Sequence, residues 1–137
     1  MIVRVNRDLA NCVADLYVGV TKGACAVMLP KVSGPDHSTL VADSMAELER
    51  RAGLAAESIG LIPLIETPAA LADLAPTSTA SARTIALAFG GEDFSTGCGF
   101  APTFQNLFDP CQQLVLGART ARLRAFRPTR QHRGLRR

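Results

Sequence analysis

Two carboxylates, Glu66 and Asp93, stand where two apolar runs end, and side chains of that type in that position can hold a hard divalent cation. Glu66 follows Ile62-Pro63-Leu64-Ile65, while Asp93 follows the run Thr84 to Phe89 and the pair Gly90-Gly91. Both runs are short and closed by turn residues, the pattern of buried parallel strands. Strands joined by one crossover lie about 4.8 Å apart, so carboxylates at the same ends of two such strands can converge on one point. Substrate oxygens would complete the shell of the cation. A solvated loop carboxylate or a helix cap is the plainer reading of either residue. Thr67-Pro68 favours the ligand reading for Glu66, because Thr as N-cap and Pro at the first helical position make Glu66 the last residue before a sharp turn. The double glycine before Glu92-Asp93 lets the backbone approach a ligand closely.

Arg4 and Lys31 stand at the exits of two further runs. Arg4, within Ile2-Val3-Arg4-Val5, reads equally as a carboxylate-binding group and as the partner of a neighbouring acid. Lys31 follows Ala24 to Leu29 and Pro30; it reads as a Schiff-base nucleophile, a phosphate partner or, most simply, a surface charge. Asn6 reads as a cap or turn residue, and Glu92 as a solvated carboxylate beside Asp93. Cys98, in the Gly-rich stretch near the carboxylates, is the one thiol considered as a reactive group, and no His lies near it in sequence.

The elements that must position these groups alternate. A strand at Ile2 to Val5 is followed by a helix from Asp8 to about Val18, with Leu9, Cys12, Val13, Leu16 and Tyr17 at helical spacing. A second strand spans Ala24 to Leu29. A long helix then carries Leu40, Val41, Met45, Leu48 and Ala52 on one face and ends at Gly53. Its other face, with Asp43, Glu47, Glu49, Arg50 and Arg51, reads as a solvated surface. A third strand at Gly60 to Ile65 leads to a short helix near Ala69 to Leu74 and a small-residue segment from Thr77 to Ala82. The fourth strand is Thr84 to Phe89, followed by a Gly-rich loop. Asp109-Pro110-Cys111-Gln112 reads as a capping box opening a helix through Leu114, Val115 and Ala118. The order is βαβαβαβα, which fits either part of a (β/α)8 barrel or a small doubly wound sheet. No G-x-G-x-x-G or Walker loop is present, which counts against a nucleotide-binding sheet.

At 137 residues and 47% hydrophobic, the chain has enough apolar material for one globular core. No apolar run approaches the roughly 20 residues of a membrane span, and Met1 leads directly into Ile-Val-Arg-Val-Asn, so a cytoplasmic protein is expected. Cys12, Cys25, Cys98 and Cys111 are widely spaced, which predicts reduced, mostly buried thiols. The net charge of +3 conceals a division. Residues 119 to 137 hold eight Arg and no acid, whereas the remainder has 7 basic and 12 acidic residues, a balance of −5.

Four segments, VRVN at 3 to 6, VMLPKV at 27 to 32, IPLIETPAAL at 62 to 71 and LAFGGEDF at 87 to 94, resemble the family of citrate lyase beta subunits and related bacterial aldolases and acyl-CoA lyases. They stand in the family's order, and the resemblance covers about Met1 to Leu123. It implies a TIM (β/α)8 barrel that cleaves or forms a carbon–carbon bond in a 2-oxo acid or a 3-hydroxyacyl-CoA thioester through a magnesium-bound enolate. Mg2+ or Mn2+ is the implied cofactor, and a small carboxylate or acyl-CoA the implied substrate. By position, Glu66 and Asp93 look like the metal ligands and Arg4 like the catalytic group that binds a substrate carboxylate or carbonyl. The motif of Lys31 is similar to the family's and makes it a substrate-binding candidate. The chemistry is reasonable in its own right, since retro-aldol cleavage leaves negative charge on an oxygen that a dication and a guanidinium stabilise.

A full barrel takes about 250 residues. The chain begins at what resembles the family's third strand, and the pattern ends after the sixth. The expectation is therefore a partial α/β barrel of about four parallel βα units over residues 1–123, with a basic, disordered tail over 124–137. A loss of reading frame near Leu123 would account for the Arg-rich end. An open four-stranded sheet exposes two edges, which predicts self-association and a homo-oligomer. The alternative to a lyase is a catalytically silent barrel fragment with a structural or binding role. Nucleic-acid binding through the arginine tail ranks last, because the body is acidic and Phe126 is the only aromatic among the arginines.

Overall fold

The apolar runs fold as parallel strands, and their order separates the two architectures that the sequence leaves open. The computed structural model describes residues 1–126. Five strands, β1 (Ile2–Arg4), β2 (Ala26–Leu29), β3 (Gly60–Ile65), β4 (Ala86–Phe89) and β5 (Arg124–Phe126), form one sheet in the order β1-β2-β3-β4-β5. All four pairings are parallel, with Arg4 opposite Met28, Leu29 opposite Pro63, Ile65 opposite Phe89, and Ala88 opposite Phe126. A doubly wound sheet reverses its strand order at a switch point; this sheet never reverses, as in a segment of a (β/α) barrel.

Between the strands run α1 (Leu9–Thr21), α2 (Pro35–Ala52), α3 (Pro68–Ala72), α4 (Leu74–Thr79), α5 (Gly91–Cys98) and α6 (Phe104–Thr120). Asp8 caps α1, its Oδ1 accepting from the Asn11 N–H at 3.0 Å, and Cys12, Leu16 and Val20 bury one face at four-residue spacing. Gly53 ends α2 in the left-handed conformation, φ +68°. The helices pack side by side, α1 on α2, α2 on α4 and α4 on α6.

The pleat divides the core in two. Leu61 and Ile65 of β3 face the main cluster with Val27, Leu29, Met45, Leu87 and Leu114, while Ile62 and Leu64 face the other side with Ala26, Ala86 and Ala88. Glu66 continues the alternation of Ile62 and Leu64, so the strand delivers it to the second face.

Several elements differ from the sequence reading. Arg124–Phe126, expected within the basic tail, form the fifth strand: Ala125 packs against the main core while Arg124 and Phe126 stay exposed. The rest of that expected tail lies outside the described residues. The Gly-rich loop is instead helix α5, with Phe94 buried against Phe89 at a ring separation of 5.0 Å. The small-residue segment contributes α4. Helix α6 begins at Phe104, capped by Thr103 Oγ1 accepting from the Asn106 N–H at 3.2 Å, so Pro110 lies inside it rather than at its start. Glu49 is buried, 1% exposed, and takes a bidentate pair of hydrogen bonds from Arg83. The thiols, expected to be mostly buried, are not: only Cys12 is buried, Cys111 is half-buried, and Cys25 and Cys98 are exposed. No helix among the described residues is long and apolar enough to cross a membrane.

Candidate active site

Glu66 owes its place to three local causes. The β3 alternation aims it at the second face, Thr67 starts α3 directly after it by accepting from the Ala70 N–H at 3.1 Å, and Gly90 leaves it space. A Cβ on Gly90 would lie 2.6 Å from Glu66 Oε1 and 2.9 Å from its carboxyl carbon, so any side chain there would force the carboxylate to move. The Gly90 N–H in turn donates to Ile65 O at 2.9 Å, which fixes the two strand exits against each other.

Glu66 is buried, with 5% of the residue exposed. Its Oε2 accepts from the Lys31 backbone N–H at 2.7 Å. Lys31 presents that N–H from the left-handed region, φ +46°, an uncommon conformation for a residue with a Cβ. Burial pushes the Glu66 carboxyl above its ordinary pKa, and the nearby Asp93 charge adds to the rise. The Lys31 hydrogen bond and the charges of Arg4 and Lys31 pull it back down.

Asp93 comes from the first turn of α5, where the helix dipole favours an acid. Its Oδ1 accepts from Lys31 Nζ at 3.2 Å, an ion pair with both side chains about half exposed. Lys31 therefore touches both carboxylates, one through its main chain and one through its ammonium. Arg4, at the end of β1, lines an open depression with Met28, Leu64, Glu66, Ala88 and Phe126.

The structure thus gathers Arg4, Lys31, Glu66 and Asp93 at the carboxyl ends of successive parallel strands, where barrel enzymes place their chemistry. Glu92 is exposed and Cys98 stands at the far end of α5, exposed as well. Asn6 is a turn residue: its N–H and Nδ2 both donate to Asp15 Oδ2 at 2.8 Å, while Asp8 takes the capping role. Two contributors were not singled out from sequence. In the sequence, Gly90 reads only as half of a pair that lets the backbone approach a ligand closely, and Phe126 falls in the expected tail. The signal for Phe126 was the alternation Arg124-Ala125-Phe126 following a helix, which is the same strand pattern found at Ile2 to Arg4.

The donor set suits a hard cation. Glu66 and Asp93 offer only oxygen, and no group of three or more His, Cys, Asp or Glu gathers anywhere among the described residues. A cation here would take two protein carboxylates and fill its remaining positions from water and substrate, the usual manner of Mg2+. A dication would also offset the like charges that raise Glu66.

Residues 1–130 match the model of the HpcH/HpaI aldolase/citrate lyase family. Over 129 residues the chain is 31% identical to citrate lyase subunit beta of Escherichia coli strain K12, an alignment that takes in 91% of this chain and 42% of that protein. The chain therefore spans about two fifths of the curated relatives it matches. Among solved structures it superposes on RipC from Yersinia pestis with a TM-score of 0.81 at 20% identity, covering 96% of this chain and 59% of RipC. A lead(II) complex of malate synthase from Haloferax volcanii gives a TM-score of 0.80 at 16% identity, with coverages of 95% and 43%. The strand order, the strand-end residues and the match over nearly the whole sequence agree: the chain belongs to the HpcH/HpaI aldolase/citrate lyase family.

Proposed function

We propose that the chain carries the cation and carboxylate half-site of a magnesium- or manganese-dependent carbon–carbon lyase. The observation that carries this reading is the approach of two carboxylates from separate strand exits, Glu66 held by the Lys31 N–H and Asp93 by the Lys31 ammonium, with Arg4 and Glu66 lining one open depression. Glu66 and Asp93 would hold the cation, which supplies Lewis-acid stabilisation of the charge developing on a substrate carbonyl oxygen. Arg4 binds the substrate carboxylate or carbonyl through its planar guanidinium, which can donate two parallel hydrogen bonds. The apolar floor of Met28, Leu64 and Ala88 strengthens those contacts by excluding water beneath them. Lys31 supplies a further positive charge for an anionic substrate group.

Family membership supports a 2-oxo acid or 3-hydroxyacyl-CoA as the substrate class. Leu9, Val13 and Tyr17, exposed at four-residue spacing along α1, support a chain that self-associates. The test is cleavage of a 4-hydroxy-2-oxo acid and of a 3-hydroxyacyl-CoA by the full chain with Mg2+, with sedimentation recording its size. Turnover of either substrate that is abolished in Glu66→Gln upholds the reading. Turnover unaffected by that change contradicts it.

A further inference from the structure

Lys31 makes two contacts with different chemical consequences. Its backbone N–H donates to Glu66 Oε2 at 2.7 Å, a bond whose donor every replacement except proline retains. Its Nζ lies 3.2 Å from Asp93 Oδ1, on the oxygen set that the proposed cation would use. The ammonium is the one cationic side chain in contact with either carboxylate among the described residues. Both members of the ion pair are open to water, with side-chain exposures of 41% and 50%, so little opposes their separation. Lys is also a compact charge on a flexible stem, able to leave one partner while its main chain stays in place.

We propose that Lys31 is a built-in counter-ion: its ammonium neutralises Asp93 until a divalent cation arrives, competes with that cation, and swings away when it binds. The main-chain half of the residue keeps Glu66 oriented in both states. This rests on the cation reading above and assigns to Lys31 a role in setting cation affinity. An ammonium a few ångströms from a dication repels it, so the wild-type affinity is lower than the two carboxylates alone would give.

The test is calorimetric titration of the full chain with Mn2+ alone, comparing wild type, Lys31→Met, Lys31→Arg and Glu66→Gln. Lys31→Met keeps a Cβ and a backbone N–H, so the Glu66 contact survives. It is expected to bind Mn2+ about three- to tenfold tighter than wild type, with the gap narrowing as salt is raised. Lys31→Arg, which keeps the charge, stays within about twofold of wild type. A second readout uses the wild type only: acylation of the Lys31 amine by a water-soluble active ester, followed by mass spectrometry, should accelerate when Mn2+ is added. Equal or weaker Mn2+ binding by Lys31→Met, or labelling that is unchanged or slowed, overturns the counter-ion role alone if wild type binds and Glu66→Gln does not. Failure of the wild type to bind Mn2+ overturns the cation reading and this inference with it.

Discussion

Gly90 and Glu66 occupy what would otherwise be a single site: a Cβ at position 90 would stand 2.6 Å from Glu66 Oε1. The glycine is thus required by the carboxylate of the neighbouring strand exit, and the pair locks together the ends of β3 and β4. Gly90→Ala is expected to displace the Glu66 carboxylate from its hydrogen bond to Lys31. The cost is about 1–3 kcal/mol of stability, the usual scale for overpacking a tight site. Mn2+ affinity should fall by at least about tenfold, since a ligand moved by an ångström no longer meets its partner. Urea unfolding and calorimetry measure the two effects separately.

Glu49 and Arg83 tie α2 to the start of β4 inside the protein, at 1% and 5% exposure. Arg83 Nη1 and Nη2 donate to Glu49 Oε1 and Oε2 at 2.9 and 2.7 Å, and the Ile59 and Glu57 N–H groups and Ser58 Oγ donate to the same carboxylate. Arg83→Met leaves a buried carboxylate without its charge partner and should cost about 3–5 kcal/mol in urea unfolding. The double change Glu49→Met with Arg83→Met should recover most of that loss, because neither charge then remains buried.

Acid should reveal the same pair. Burial works to raise the Glu49 pKa, but the Arg83 hydrogen bonds, with those from Ile59 and Ser58 and the Arg83 charge, outweigh it and hold the carboxyl below its ordinary 4.5. A depressed folded-state value means that the stabilisation is complete above pH 4.5 and is lost as the pH falls through the lower, folded value. Wild type should therefore lose more stability than the doubly substituted chain between about pH 5 and pH 3, measured as the urea midpoint. Equal losses in both chains would contradict the assignment.

Pro110 lies in the interior of α6, where it lacks the N–H that would bond one turn back. Pro110→Ala should stabilise the chain by about 1 kcal/mol or more and raise its helical circular dichroism signal. A helix that began at Asp109 would instead place Pro110 in its favoured first position, and the substitution would then be neutral or harmful.

Much of this arrangement was legible in residue pattern. Ile62-Pro63-Leu64-Ile65 followed by Glu66-Thr67-Pro68 marks a buried strand, its exit and a helix start in seven residues, and β3, Glu66 and α3 stand there. Asp93 was legible as a strand-exit acid, but the glycines around it hid helix α5, which forms because Phe94 buries itself against Phe89. Glu49 was misread by residue type, although its position was informative: it extends the buried series Ser38, Val41, Ala42 and Met45 at helical spacing, so it faces inward and needs Arg83. Lys31 was the least legible residue. Its decisive contact is made by a backbone N–H set by a positive φ, and side-chain chemistry carries no sign of that.

The central claim, that Glu66 and Asp93 together form a divalent-cation site, is tested most directly by calorimetric titration of Mg2+ and Mn2+ into the purified chain. Wild type should bind one cation per chain, and Glu66→Gln and Asp93→Asn should each lose that binding while remaining folded. Binding that survives both substitutions, or no binding by a folded wild type, would contradict the account.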